Sequence, residues 1–143
     1  MKYIKLFDSF KKWYRGYTTN TKSSNYVWLT SSKQQAEKYA EMNQLFQGGE
    51  SIVDEMDLDL SSFDILDVTE YDMDDKMKPS DINDFLTDIN IDFDYLNLFD
   101  AFEEEIPLSR LVNNILYKIF KKYTALKIME DGIETVCIYK PSL

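Results

Sequence analysis

An α+β fold is expected from three features of the sequence. Short runs rich in aromatic and β-branched residues stand near both ends, at Trp13–Tyr17, Tyr26–Thr30, Ala125–Met129 and Ile133–Tyr139. One long segment, Leu108–Tyr123, instead carries apolar residues at helical spacing. Between the last two runs sits Asp131-Gly132, a dipeptide that favours the left-handed backbone of a two-residue hairpin turn.

Taken in order, Lys2–Phe10 alternates loosely and fits either a strand or a short helix. Trp13-Tyr14-Arg15-Gly16-Tyr17 reads as a strand closing at its glycine, and the polar stretch Thr18–Asn25 as a loop. Tyr26–Thr30 is a second strand. Ser32 with Gln35 three residues on makes a capping box, and Ala36, Tyr39, Ala40 and Asn43 continue it as a helix that Gly48-Gly49 ends. Ile65–Thr69 reads as a third strand, and Ile82, Phe85, Leu86 and Ile89 as a helix capped by Ser80. Phe93, Leu96 and Phe99 suit a further short helix. In Leu108–Tyr123 the stripe Leu111, Val112, Ile115, Leu116, Ile119, Phe120, Tyr123 faces inward, with Lys118, Lys121 and Lys122 near the C-terminal end, where the helix dipole favours them.

The 143 residues amount to one domain, and 44% hydrophobic with 15% aromatic content is enough to bury a core. The chain has no histidine, which excludes Ser-His-Asp and Cys-His catalysis and His-ligated zinc or haem. Cys137 stands alone, so there is no internal disulfide, and a reducing, cytoplasmic setting is expected. No apolar stretch long enough for a membrane span occurs. Four glycines provide neither a dinucleotide fingerprint nor a P-loop. Asp88-Ile89-Asn90-Ile91-Asp92 imitates the start of an EF-hand, but Phe93 stands where the loop needs glycine and Phe99 where it needs a bidentate glutamate.

The net charge of −10 opposes direct nucleic-acid binding and adsorption to anionic membranes. It is also segregated: Met1–Gly49 carries +5, Glu50–Glu105 carries −18, and Ile106–Leu143 carries +3. The expectation is a single domain, 1–143, with its core from 1–49 and 106–143 and an acidic, largely helical insert at 50–105.

One ordered constellation remains. Arg15 lies on an early strand; Trp28-Leu29-Thr30-Ser31-Ser32 leads into a helix bearing Ala36 and Tyr39-Ala40; and the final strand runs Gly132-Ile133-Glu134-Thr135-Val136-Cys137-Ile138-Tyr139-Lys140-Pro141. This order resembles the ADP-ribosyltransferase superfamily of the Arg-Ser-Glu type, over roughly half of the chain. The resemblance implies a mixed-sheet core of the split β-sandwich kind and NAD as substrate. It also implies mono-ADP-ribosylation of a protein target. Small members of that superfamily are commonly toxins or phage anti-defence effectors, including an anti-CRISPR group. Carried onto this chain, Arg15 would hold the pyrophosphate as a planar bidentate donor, Thr30 and Ser31 would position ribose or carboxylate, and Tyr39 would stack on nicotinamide. Glu134 would be the catalytic carboxylate that stabilises the oxocarbenium-like transition state. Arginine-modifying members carry Glu or Gln two residues before that glutamate, where this chain has Gly132; taking Glu130 as the carboxylate puts Ile128 there.

The same residues have plainer readings. Arg15 suits a surface ion pair, Thr30 and Ser31 suit helix capping, Tyr39 has core spacing, and Glu134 suits an outward strand position. A different class of function also fits the charge pattern: a non-enzymatic acidic protein that imitates a phosphate backbone and occupies a basic groove on a partner, with an affinity that falls steeply as salt rises.

Overall fold

The computed structural model describes residues 10–142. In chain order the elements are β1 Phe10–Thr18, β2 Tyr26–Thr30, α1 Lys33–Gln47, β3 Ser51–Asp59, β4 Ile65–Asp72, β5 Lys76–Met77, α2 Pro79–Asp88, β6 Ile106–Pro107, α3 Leu108–Ile119, β7 Ala125–Glu130 and β8 Ile133–Tyr139. Six strands form one mixed sheet in the order β3-β1-β2-β8-β7-β4, antiparallel throughout except for the parallel pair β4/β7. The short strands β5 and β6 pair separately. Among the described residues the fold is thus α+β, with three helices and a six-stranded mixed sheet.

Local chemistry explains the elements at the two ends. Ser32 caps α1, its hydroxyl accepting from Gln35 N at 3.1 Å. Gly48, at φ 72°, closes the helix through its N–H to Gln44 O at 2.9 Å. Asp131 and Gly132 adopt φ 51° and 73°, the left-handed pair that a two-residue hairpin requires. The α3 stripe is buried from Leu108 to Ile119, while Phe120 and Tyr123 pack half-buried beyond the helix end. In α2 the cap differs from the Ser80 expectation. Lys78 takes the cap position, Pro79 opens the first turn, and Asp81 accepts from Lys78 N at 2.9 Å. Of the Phe93–Phe99 segment only Leu96–Leu98 is helical, as a single 3-10 turn. The Lys2–Phe10 reading falls outside the described residues except for Phe10, which begins β1.

Segment 50–105 is not the largely helical insert expected from its charge. It holds both edge strands of the main sheet, β3 and β4, and one α-helix of 10 residues. Within the acidic run, Glu55-Met56-Asp57-Leu58 alternates with period two, so Met56 and Leu58 pack on the core while Glu55 and Asp57 face water. Acids on an edge strand are cheap to solvate and deter pairing with other chains.

Cross-strand partners share a face of a sheet, so register assigns the layers. Gly16 and Tyr14 of β1 share a face with Thr30, through the Tyr14↔Thr30 pair, then with Thr135 and with Ile128. Helices α1, α2 and α3 cover this one face. Helix α1 lies against β1 and β3, whereas α2 and α3 pack on Leu126, Ile128 and Cys137. The α1 backbone comes so close to β1 that a Cβ on Gly16 would stand 1.8 Å from Ala36 O. The opposite face buries Trp13, Val27, Leu29, Ala125, Val136 and Ile138 under Leu60, Phe63, Met56 and Leu58.

Asp72, at the end of β4, ties that strand to the hairpin turn. Its carboxylate accepts from Asp74 N at 2.9 Å, Asp131 N at 3.1 Å and Gly132 N at 2.8 Å. Partial burial opposes its charge, but these three donors prevail and hold the carboxyl below its ordinary 3.8. A depressed folded-state pKa contributes stability that is present above the unfolded value and lost as pH falls through the folded one. Asp72→Asn, which presents an amide N–H to one of these donors, is expected to cost about 1–2 kcal/mol at pH 7. In urea titrations the difference from wild type should shrink as pH drops below 3.8, the ordinary value. A gap that persists in acid would show that the charge is not what holds the turn.

Candidate functional site

Because α1 and α3 lie side by side on one face, a cleft opens between them over the middle of the sheet. Its volume is about 590 Å³, within the ~300–1,000 Å³ range of small-molecule sites. Tyr39, Met42 and Asn43 form the α1 wall, and Ser109, Asn113 and Leu116 the α3 wall. Tyr26, Trp28 and Thr135 supply the floor, Thr21, Lys22 and Ser24 from the β1–β2 loop close one end, and Met73 and Glu130 also line it.

The floor is split. β1 and β2 are in register at Tyr14↔Thr30 alone. Beyond that pair the strands diverge, and Arg15, Gly16 and Tyr17 from one edge and Leu29 from the other border the cleft. Arg15, Tyr17 and Leu29 belong by alternation to the Trp13 face, so the cleft reaches into the gap between the two strands. The Arg15 guanidinium lies 4.3 Å from the Tyr17 ring centroid, and Tyr17 Oη donates to Asp54 at 2.7 Å, which steadies this edge.

Two groups in the cleft are electrostatically unusual. Burial, with Asp74, Asp72 and Asp131 adding to it, raises the Glu130 carboxyl above its ordinary range, although the facing Tyr39 hydroxyl works the other way. No Lys or Arg among the described residues forms an ion pair with Glu130. Burial also pushes the Tyr39 hydroxyl up. Its oxygen is inaccessible to solvent and has no well-aligned hydrogen-bond partner, with Gln35 and Glu130 within interacting range. A half-buried carboxyl beside an unsatisfied phenol, in a cleft, is the kind of arrangement that marks functional sites.

The residues singled out from sequence are divided by this geometry. Arg15 and Tyr39 border the cleft together. Thr30 is 1% exposed, and its hydroxyl accepts from Ser32 N at 3.2 Å, a local capping contact. Ser31 donates its N–H to Glu134 O at 3.0 Å. Neither Thr30 nor Ser31 is among the residues that line the cleft. Glu134 lies on the opposite face, where it pairs with Lys11 and, at 3.6 Å, with Lys127. Lys11 first, and Lys127 after it, hold its carboxyl below the usual range.

Of the two glutamates flanking the hairpin turn, Glu130 lines the cleft and Glu134 does not. The hairpin contains the signal that could have found it. A two-residue turn at Asp131-Gly132 pairs Glu130 with Ile133 and Glu134 with Met129, so the two glutamates must face opposite sides. Lys22, Ser109 and Asn113 carried no sequence signal of their own, since a loop lysine and two polar helix residues look alike whether or not a cleft lies beside them.

Among the described residues no three His, Cys, Asp or Glu side chains are grouped to hold a metal ion, and no helix is long and apolar enough to cross a membrane. Compared with protein-family models, with curated proteins and with solved structures, the chain matches none.

Proposed function

We propose that the protein binds NAD in the α1–α3 cleft and transfers ADP-ribose from it to a protein target, with Glu130 rather than Glu134 as the carboxylate. The observation that carries this reading is that Arg15, from the gap between β1 and β2, borders the same cleft of about 590 Å³ as Tyr39 and Glu130. Each residue type suits its task. Arg15 is a planar donor for the pyrophosphate, Tyr26, Trp28 and Tyr39 offer ring surfaces for the bases, and a carboxylate stabilises the positive charge that grows on the ribose as nicotinamide leaves. In the transfer the ribose–nicotinamide bond breaks, nicotinamide departs with the electron pair, the acceptor atom bonds to the same carbon, and Glu130 takes the acceptor's proton.

The test is calorimetric titration of NAD together with transfer of labelled ADP-ribose in a cell lysate. Wild type should bind saturably and label a protein. Arg15→Ala should weaken binding about tenfold or more. Glu130→Gln should keep binding within about tenfold while label transfer falls about a hundredfold or more. Glu134→Gln should leave both unchanged. Saturable binding with transfer lost in Glu134→Gln and kept in Glu130→Gln would return the role to Glu134. No binding to wild type would overturn the reading.

A second reading, a non-enzymatic acidic protein that occupies a partner's basic groove, draws on one specific observation. Between β4 and α2 runs a groove of about 430 Å³ lined by Glu70, Tyr71, Asp75, Lys76, Asp81 and Asp84, with Asp67, Asp74 and Asp88 exposed on the same two elements and the turn after β4. It offers negative charge on a folded surface without asking anything of the cleft.

A further inference from the structure

The main sheet has two edges, β3 and β4, and they differ in how open they are. The β4 edge is interrupted: its pairing with β7 shifts register between Asp67 and Asp72, and its Thr69 N–H donates to the Asp67 carboxylate at 3.0 Å. Strand β3 has no such interruption. All 9 of its residues pair with β1 in one unbroken register, it contains neither proline nor glycine, and among the described residues no strand lies on its outer side.

One hydrogen bond sets which backbone groups are left over. Thr19 N–H donates to Glu50 O at 3.1 Å, one step beyond the pair Thr18↔Ser51. Bonded and open pairs alternate along an antiparallel ladder, so Ile52, Asp54, Met56 and Leu58 bond to β1, whereas the N–H and C=O groups of Ser51, Val53, Glu55 and Asp57 point away from the sheet. The side chains sort by the same parity. Glu55 and Asp57 are exposed on the α1 side. The Ser51 hydroxyl is 3.3 Å from Ala40 O and 3.1 Å from Gln44 Oε1, which sets the α1 stripe Glu37, Glu41, Gln44 alongside β3. Among the described residues Asp57, Glu37 and Glu41 form no ion pair, and Glu55 is ion-paired only to the exposed Lys12, at 3.3 Å. On the other side Ile52, Met56 and Leu58 are half-buried.

We propose that β3 is a docking edge: it takes an extended segment of a partner protein, in which lysine or arginine alternates with apolar residues, as a further strand of the sheet. Main-chain hydrogen bonds to Ser51, Val53, Glu55 and Asp57 supply the pairing. Period-two alternation sends every second side chain of the added strand toward Glu55, Asp57 and the α1 glutamates, which match a cation, and the others toward Ile52, Met56 and Leu58, which match an apolar group. The acids that oppose pairing between two copies of this chain, by setting like charges opposite one another, are the ones that select a basic strand. Docking on this edge is independent of NAD, because no β3 residue lines the cleft.

The test is fluorescence anisotropy of a short labelled peptide of alternating lysine and valine titrated with the full chain, together with amide hydrogen exchange of the protein followed by NMR. Wild type should bind the peptide saturably, and exchange at the Ser51, Val53, Glu55 and Asp57 amides should slow about tenfold or more while β4 is unaffected. The same peptide N-methylated at alternate residues, so that it cannot donate to β3, should bind about tenfold or more weakly. Glu55→Lys combined with Asp57→Lys should weaken the lysine–valine peptide by a similar factor and confer binding of a glutamate–valine peptide that wild type rejects. Equal binding of the N-methylated peptide, or unchanged exchange at those amides, would mean adsorption to an acidic surface and overturns strand addition. Absence of saturable binding to wild type overturns it as well, and either result leaves NAD binding in the cleft to its own test.

Discussion

Gly16→Ala is expected to lower the thermal midpoint by about 10 °C. The added Cβ would stand 1.8 Å from Ala36 O and 2.7 Å from Ala36 C, both backbone atoms of α1 that cannot turn aside as a side chain would. Either the whole helix lifts from β1 or the strand bows away, and strain of this kind costs typically 1–3 kcal/mol, here about 3. At ~2–4 °C per kcal/mol for a chain of this size that gives the stated shift. The damage should also reach the cleft, because α1 supplies Tyr39, Met42 and Asn43 to its wall. On the proposed reading NAD affinity in Gly16→Ala should fall as well, since the α1 wall is displaced and Gly16 itself borders the cleft. Gly132 is a useful contrast. Nothing lies within 4 Å of a Cβ there, so Gly132→Ala meets only the strain of φ +73° and should cost about 1 kcal/mol. If the two substitutions cost the same when followed by circular dichroism, the close approach of α1 to β1 is not what limits this position.

Trp13→Ala should cost more still, about 3–5 kcal/mol. Trp13 is 0% exposed and heads the cluster on the face away from the helices, among Val27, Leu29, Leu60, Val136 and Ile138. Truncation would leave a void flanked by β1, β2 and β8, strands whose register the cleft depends on. The indole N–H has no hydrogen-bond partner, so wild type already bears an unsatisfied donor in the core. Trp13→Phe removes that donor and loses little volume, and should cost less than about 2 kcal/mol. Urea unfolding of the pair separates the two contributions. A Phe variant as unstable as the Ala variant would mean that the indole ring itself, and not apolar filling, is what the site requires.

Parts of this molecule with local causes are legible in the chain. Ser32 and Gln35 mark the start of α1, Gly48 its end, the apolar stripe marks α3, and Asp131-Gly132 joins β7 to β8 as a tight hairpin. Where charge was used in place of periodicity, the reading failed. Segment 50–105 was expected to be mostly helix because it is acidic, yet Glu55-Met56-Asp57-Leu58 has the alternation of an edge strand, and β3 and β4 bound the sheet on its two sides. Only part of the candidate site was legible. Arg15 and Tyr39 border the cleft, whereas Glu134 sits across the sheet in an ion pair with Lys11.

The sequence alone determined the α+β class, the amphipathic α3, the capped α1 and the two-residue hairpin, because each follows from residues within a turn or two of one another. It also excluded histidine chemistry and internal disulfides by composition. The tertiary structure decided which carboxylate shares a cleft with Arg15, and that the cleft exists at all. Both depend on register and on contacts between residues far apart in the chain. One residue of parity in the β7–β8 pairing sends Glu130 toward the helices and Glu134 to the other face, and the divergence of β1 from β2 after Tyr14↔Thr30 leaves the gap into which the cleft between α1 and α3 reaches.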